Sequence, residues 1–250
     1  MCSRAQGPEP RSQEAFTPLT SILAHRGSVE AAPENSLDAV RAAAALGADG
    51  VELDVRRTAD GCVVLHHDLE ASGLGPVSGL RRSDLPPQVP TLDDALALCA
   101  SLGLDVNVEV KSELAGPHHD PAELCARASA ALCAQAQEHS RIVISSFSIA
   151  ALAAVRESAD GLALAWLLWH DSTEPAPWSQ GVLGTLGLEG VHPYDTVVDA
   201  AYLRRAHNDG LAVRVWPVSD PDRIAQLGEL GVDAVITNDV PAALKALGRA

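Results

Sequence analysis

At 250 residues, 47% hydrophobic and 20% charged, the chain has an ordinary globular balance and is long enough for one large α/β domain. Its 33 acidic residues outnumber 18 basic ones, and a formal charge of −15 repels nucleic acid and anionic membrane surfaces. A phosphate-bearing substrate would need local positive charge at its site, from a metal ion or from a few placed Arg, Lys and His side chains.

Residues 1–20 carry Gly7, Pro8, Pro10 and Pro18 and no apolar run, so they read as a flexible tail rather than a signal peptide. Residues 21–250 then form a single domain. Ile22-Leu23-Ala24 is a short strand ending in His25-Arg26-Gly27, and a helix begins at Pro33-Glu34-Asn35-Ser36 and stops at Gly47. A buried strand over 50–56 follows, then the turn dipeptide Asp60-Gly61 and a second extended run that delivers His66, His67 and Asp68. Residues 69–90 are rich in Gly and Pro and read as a small insertion. Helices are expected from Thr91 to Leu102 and from Pro121 to Glu138, with an alternating strand over 105–111 between them.

The second half keeps the rhythm. Strands over 142–144, 162–169, 188–192, 212–218 and 233–236 alternate with helices over 148–158, up to about 186, 197–208, 221–230 and 241–247. Intervening helices imply parallel crossovers, and eight strand–helix units suit a closed (β/α)8 TIM barrel with a short insertion after the second strand. An open doubly wound sheet is the alternative. The most apolar stretch, 149–169, is interrupted by Arg156, Glu157 and Asp160, so no membrane span is expected. Five scattered cysteines without a CxxC pair favour free thiols in a reducing compartment, and a cytoplasmic location is the expectation.

A barrel of this kind carries its site at the C-terminal ends of the strands. Those ends hold His25 and Arg26, then Glu52 and Asp54, then Glu109 and Lys111, with Ser145, Ser146, Phe147, His192, Trp216 and Asp239 further round. Glu52 and Asp54 lie two apart, so in a strand both face one side, with Cα atoms about 6.5–7 Å apart. Three converging carboxylates repel, and a divalent cation resolves that repulsion; oxygen ligands favour Mg²⁺ or Ca²⁺ over zinc. Alternatively, Arg26 and Lys111 neutralise them as a salt-bridge network. His25 and His67 suit an acid–base pair, because imidazole exchanges protons near neutral pH. Asp68 suits orienting His67, and Arg26 and Lys111 suit clamping phosphate oxygens. Asn35 and Glu34 add hydrogen-bonding groups at the first loop, and Trp216 would wall a small polyol or a lipid-derived group, or be core.

In this order the pieces resemble the glycerophosphodiester phosphodiesterase family. The likeness is carried by His25-Arg26-Gly27, Pro33-Glu34-Asn35-Ser36, the run from Gly47 to Val55, Asp60-Gly61 leading to His67-Asp68, Pro90-Thr91-Leu92, Val108-Glu109-Val110-Lys111, Ser145-Ser146-Phe147 and the closing run from Gly231 to Thr237. The resemblance implies a TIM barrel whose metal is held by Glu52, Asp54 and Glu109, with His25 and His67 as the acid–base pair and Arg26 and Lys111 on the phosphate. It implies cleavage of a small phosphodiester to glycerol 3-phosphate and an alcohol, in lipid and glycerol metabolism. The short segment after His67-Asp68, Trp216-Pro217-Val218 and Thr237-Asn238-Asp239 depart from the family pattern, which bears on substrate choice.

Two other readings belong beside this one: a lysophospholipase D-like phosphodiesterase, and a non-catalytic barrel that binds a phosphorylated ligand. The presence of both histidines and all three carboxylates speaks for an enzyme. Headgroup, metal identity, the division of roles between the histidines and oligomeric state are not legible; a homodimer is compatible with the sequence, which specifies none.

Overall fold

The alternation of short apolar strands with capped helices closes a barrel in a computed structural model of the chain, which describes residues 19–112, 122–169 and 180–250. The tail (apart from its last two residues), the start of the helix expected at Pro121 and the loop after Trp169 lie outside the described residues. The strands are β1 (Ser21–His25), β2 (Gly50–Arg57), β3 (Val63–Leu65), β4 (Glu70–Ala71), β5 (Gly75–Pro76), β6 (Asp105–Val110), β7 (Ile142–Ser146), β8 (Ala163–Leu168), β9 (Gly190–Pro193), β10 (Ala212–Val215) and β11 (Ala234–Thr237). The parallel ring runs β1-β2-β6-β7-β8-β9-β10-β11, and pairing of β11 with β1 closes it. The expected TIM barrel is thereby established, and the open sheet is excluded.

The described residues form eight α-helices: α1 (Leu37–Leu46), α2 (Leu92–Leu102), α3 (Ala122–Ala136), α4 (Ile149–Ser158), α5 (Gln180–Leu186), α6 (Ala200–Asn208), α7 (Pro221–Leu230) and α8 (Val240–Ala246). Their limits follow from capping. Ser36 accepts the Ala39 N–H at the start of α1, and Thr91 and Asp94 form a reciprocal capping box at the start of α2. Since α1 begins only at Leu37, Glu34 and Asn35 sit in the loop ahead of it, free to reach the barrel mouth.

Alternation on β2 sends Val51, Leu53 and Val55 into the layer between barrel and helices, and Glu52 and Asp54 to the other face. The core is rich in small residues, with Ala39, Ala43, Ala126, Ala130, Ala151 and Ala206 all fully buried. After β2, β3 turns back and pairs antiparallel with it, and the insertion contributes the two-stranded β4–β5 hairpin and two short 3-10 turns. Asp49, just before β2, takes a two-point ion pair from Arg249 at 2.6 and 2.8 Å and the Ile22 N–H at 2.7 Å, which ties the last residues to the first two barrel strands. Among the described residues, no helix is long and apolar enough to cross a membrane.

Candidate active site

The turn that follows β1 builds the first wall. Arg26 and Gly27 both have left-handed backbones, with φ of 57° and 78°, and a side chain at Gly27 would strike Ala39 of α1. That tight reversal points the Arg26 N–H at Glu52 Oε2, 3.1 Å away, and lays the guanidinium against Glu34 at 2.8 Å and Asp54 at 3.2 Å. Asn35, also left-handed at φ 53°, is buried; its amide donates to Asp54 Oδ2 and its carbonyl oxygen accepts the Asp54 N–H.

Glu52, Asp54 and Glu109 present oxygens that all lie within 4.8 Å of one another, and each residue is buried. Register pairs Asp54 with Glu109 across β2 and β6, so the parallel ladder itself brings these two side chains together. Lys111, just past β6, reaches Glu109 at 2.7 Å and Asp54 at 3.1 Å. The salt-bridge network weighed from the sequence therefore exists, but two cations face three carboxylates. Burial and the neighbouring charges of Asp54 and Glu109 push the Glu52 carboxyl well above its usual range, and burial pushes Glu109 up against the pull of Lys111. Burial acts the same way on Asp54, but Lys111, the Asn35 hydrogen bond and Arg26 together hold it below its usual range.

Glu52 Oε1 is buried without a hydrogen bond and Asp54 Oδ1 is met only by the Lys111 ion pair, and a buried carboxylate oxygen is costly to leave unmatched. An all-oxygen donor set with unmatched lone pairs fits a hard divalent cation of the Mg²⁺ or Ca²⁺ kind.

His25 faces this cluster. Its Nδ1 lies 2.8 Å from Asn238 Oδ1 and its Nε2 lies 3.8 Å from Glu52 Oε2. Burial lowers its proton affinity, partly offset by the Asn238 bond. His67 arrives on the chain beyond β3; Arg56 donates two hydrogen bonds to its carbonyl, and its Nδ1 lies 2.8 Å from Asp68 Oδ1. It is near enough to act electrostatically on Asp54 and Glu109. His66 turns to the Asp68 carbonyl instead. A cavity of about 550 Å³ opens between the first loop and the insertion, lined by Glu34, Asn35, His66, His67, Asp68 and Arg82 among others.

The opposite side of the mouth is aromatic. Trp216 stacks on Trp169 with ring centres 5.3 Å apart, Phe147 lies 5.2 and 5.5 Å from those two rings, and Tyr194 meets Trp216 edge-on at 5.5 Å. The Trp216 indole N–H donates to the His192 carbonyl, and Trp169 is half exposed. Four of the eight aromatic residues in the chain gather here.

The structure thus brings together His25, Arg26, Glu34, Asn35, Glu52, Asp54, His67, Glu109 and Lys111. Two residues grouped with them from the sequence lie elsewhere in role: Asp239 caps α8, and the His192 ring is fully buried against Arg214. Two contributors went unrecognised. Asn238 holds His25, and its only signal was a polar residue at the end of the last strand; Arg56 anchors His67, and an arginine inside an otherwise buried strand was the hint.

The sequence model of the glycerophosphoryl diester phosphodiesterase family matches residues 25–242. A glycerophosphodiester phosphodiesterase of Caldanaerobacter subterraneus subsp. tengcongensis is 27% identical over 241 residues, covering 88% of this chain and 94% of that protein. Human glycerophosphodiester phosphodiesterase 1 is 40% identical over 111 residues, covering 36% of this chain and 34% of its own. Among solved structures, an Oleispira antarctica phosphodiesterase in complex with the product sn-glycerol-3-phosphate superposes with a TM-score of 0.77 at 24% identity, covering 93% of this chain and 98% of that one. A glycerophosphodiester phosphodiesterase from Parabacteroides distasonis gives 0.77 at 24% identity, covering 92% and 97%.

Proposed function

The chain belongs to the glycerophosphoryl diester phosphodiesterase family, and from that premise we propose that it hydrolyses glycerophosphodiesters to glycerol 3-phosphate and an alcohol by two-histidine acid–base chemistry beside a carboxylate-bound divalent cation. The observation that carries this reading is the convergence of His25, the buried Glu52–Asp54–Glu109 cluster and Lys111 at one mouth of the barrel.

Glu52, Asp54 and Glu109 would hold the cation. When bound, it supplies Lewis-acid neutralisation of phosphoryl charge.

His25 is the base in this scheme. Asn238 Oδ1 accepts from Nδ1–H, which leaves the Nε2 lone pair directed to the carboxylate side of the pocket. Burial keeps the ring neutral near pH 7, ready to take the proton of the attacking hydroxyl, whether of water or of the neighbouring glycerol carbon. His67, oriented through Nδ1 by Asp68, gives its proton to the departing alkoxide as the P–O bond to the alcohol breaks. Arg26 and Lys111 retain N–H donors beyond those used on carboxylates, and these face the phosphoryl oxygens as charge accumulates. Glu34 and Asn35 hold Arg26 and Asp54 in place.

A second reading of the substrate is favoured by the aromatic wall: a diester with an acyl chain on its glycerol, cleaved in the lysophospholipase D manner, would lay that chain on Trp169. The deciding experiment measures glycerol 3-phosphate release from glycerophosphocholine and glycerophosphoethanolamine, and choline release from lysophosphatidylcholine alongside. It is run with EDTA and with Mg²⁺ or Ca²⁺ restored, in the native chain and in His25→Ala and Glu52→Ala. Metal-dependent release that both substitutions abolish is expected; no turnover of any of these by folded, metal-loaded protein defeats the reading.

A further inference from the structure

Barrels of this fold are ordinarily filled by layers of branched side chains. Here the described residues leave the end of the lumen away from the site unfilled. A cavity of about 660 Å³ opens at the N-terminal ends of the strands, where Leu23, Val143, Ala212 and Ala234 leave the interior unfilled. Arg214, on β10, extends into that space. Room for it comes from Gly190 on the neighbouring strand, where a Cβ would lie 3.1 Å from Arg214 Nη1 and 3.0 Å from the Ala212 carbonyl oxygen.

The polar groups around the hollow are unmatched in one direction. Arg214 donates to His192 Nε2 at 3.3 Å, and Asp233, Asp105 and Glu189 act on it only through space. That bond assigns the imidazole proton to Nδ1, which is buried and has no acceptor. Asn107 lines the cavity, is 1% exposed, and has neither its amide nitrogen nor its oxygen hydrogen-bonded. Arg141 adds a second cation on the wall. Of the two lining carboxylates, Asp233 is already matched by His207 at 2.9 Å and the Val213 N–H at 2.7 Å, and burial pushes the Asp105 carboxyl up against the pull of Arg141 and Arg214. A guanidinium fork with several free N–H groups beside an amide is a donor set for planar or tetrahedral oxyanions.

We propose that this chamber is a second ligand site, at the opposite end of the barrel from the carboxylate cluster, that binds a small phosphate-type oxyanion through Arg214, Asn107 and Arg141. The anion is either free phosphate or a compact phosphate monoester, since the volume admits both.

The test is thermal unfolding of the full chain in EDTA, titrated separately with inorganic phosphate and with glycerol 3-phosphate. Four proteins are compared: native, Lys111→Met at the carboxylate cluster, Arg214→Met, and Ala212→Leu, which takes up chamber volume while keeping the arginine in the chain. At ten times the dissociation constant a rise of roughly 3–6 °C is expected in the native and Lys111→Met proteins. Arg214→Met and Ala212→Leu should show no more than the general salt effect. A rise with inorganic phosphate alone identifies free phosphate as the source, and one confined to glycerol 3-phosphate identifies the monoester. A rise that survives in Arg214→Met, or one that vanishes in Lys111→Met, places the anion at the carboxylate cluster and overturns the proposal. So does the absence of any rise in the native protein, which leaves the chamber to water. Should Arg214→Met fail to fold, Ala212→Leu gives the same comparison.

Discussion

Asn35 grips Asp54 at two points: its amide donates to Asp54 Oδ2 at 2.8 Å, and its carbonyl oxygen accepts the Asp54 N–H at 3.0 Å. One side chain thereby orients a carboxylate of the cluster and fastens the first loop to β2. Asn35→Ala removes both bonds and leaves an alanine at φ 53°, a backbone that alanine adopts at a cost of about 1–2 kcal/mol. Activity should fall roughly 10–100-fold while the protein remains folded, as for loss of an outer partner of a metal ligand. Activity within twofold of native, measured at saturating cation, would show that Asp54 needs no such support.

If a cation is held as proposed, Glu52 makes its binding depend on pH. Burial and the charges of Asp54 and Glu109 raise its carboxyl in the folded protein, so the unloaded chain is stabilised by a protonated Glu52. A raised pKa contributes stability that is full below the unfolded value of about 4.3 and is lost as pH rises through the folded value. Unfolding midpoints in EDTA should therefore decline as pH rises from about 4.3 to the folded value and level off above it, and added Mg²⁺ or Ca²⁺ should restore them, more strongly at higher pH. A cation effect that is flat across pH, or equal in Glu52→Gln, would contradict this assignment.

Asn238 sets the protonation of His25. Asn238→Asp places a carboxylate 2.8 Å from Nδ1, which favours the imidazolium and opposes the lowering caused by burial. If His25 takes the proton, the acidic limb of the pH–rate profile moves to higher pH in this variant. Movement of the alkaline limb instead would give His25 the donor's part and His67 the acceptor's.

The aromatic wall predicts a split between binding and chemistry. Trp169 is half exposed and stacked on Trp216, so Trp169→Ala removes surface without touching the carboxylate cluster. For glycerophosphocholine, KM should rise several-fold with kcat little changed, because a cationic headgroup over an indole is worth about 0.5–2 kcal/mol. Equal losses in kcat for every diester tested would mean that the tryptophan supports the barrel mouth rather than the alcohol.

Asp49 and Arg249 join the two ends of the described barrel. Burial acts to raise the Asp49 carboxyl, but the Arg249 ion pair and the Ile22 N–H more than offset it. A lowered pKa gives stability that is present above the unfolded value of about 3.9 and is lost as pH falls through the folded value. Asp49→Ala should cost roughly 1–3 kcal/mol near neutral pH, and the difference from native should shrink under acid. Denaturant midpoints across roughly pH 2–7, on both sides of the unfolded value, would decide it.

Much of this was legible along the chain because it rests on local rules. Strand period, caps such as Ser36 and Thr91, and the stop at Gly47 are properties of neighbouring residues, so eight strand–helix units and their order could be read directly. A two-residue period likewise put Glu52 and Asp54 on one face before any coordinates, and the motif order carried Glu109, His25 and His67 with them. What tertiary structure alone decided is pairing across the barrel. Asn238 meets His25 because β11 closes on β1, a contact between positions more than 200 residues apart. Arg214 looked like an ordinary strand residue and His192 like part of the site, and only closure of the ring set Arg214 and Asn107 on one unfilled space, with His192 buried against the arginine. Sequence patterns specify which face a side chain takes; how much of the enclosed volume is filled, and by whom, depends on all eight strands at once.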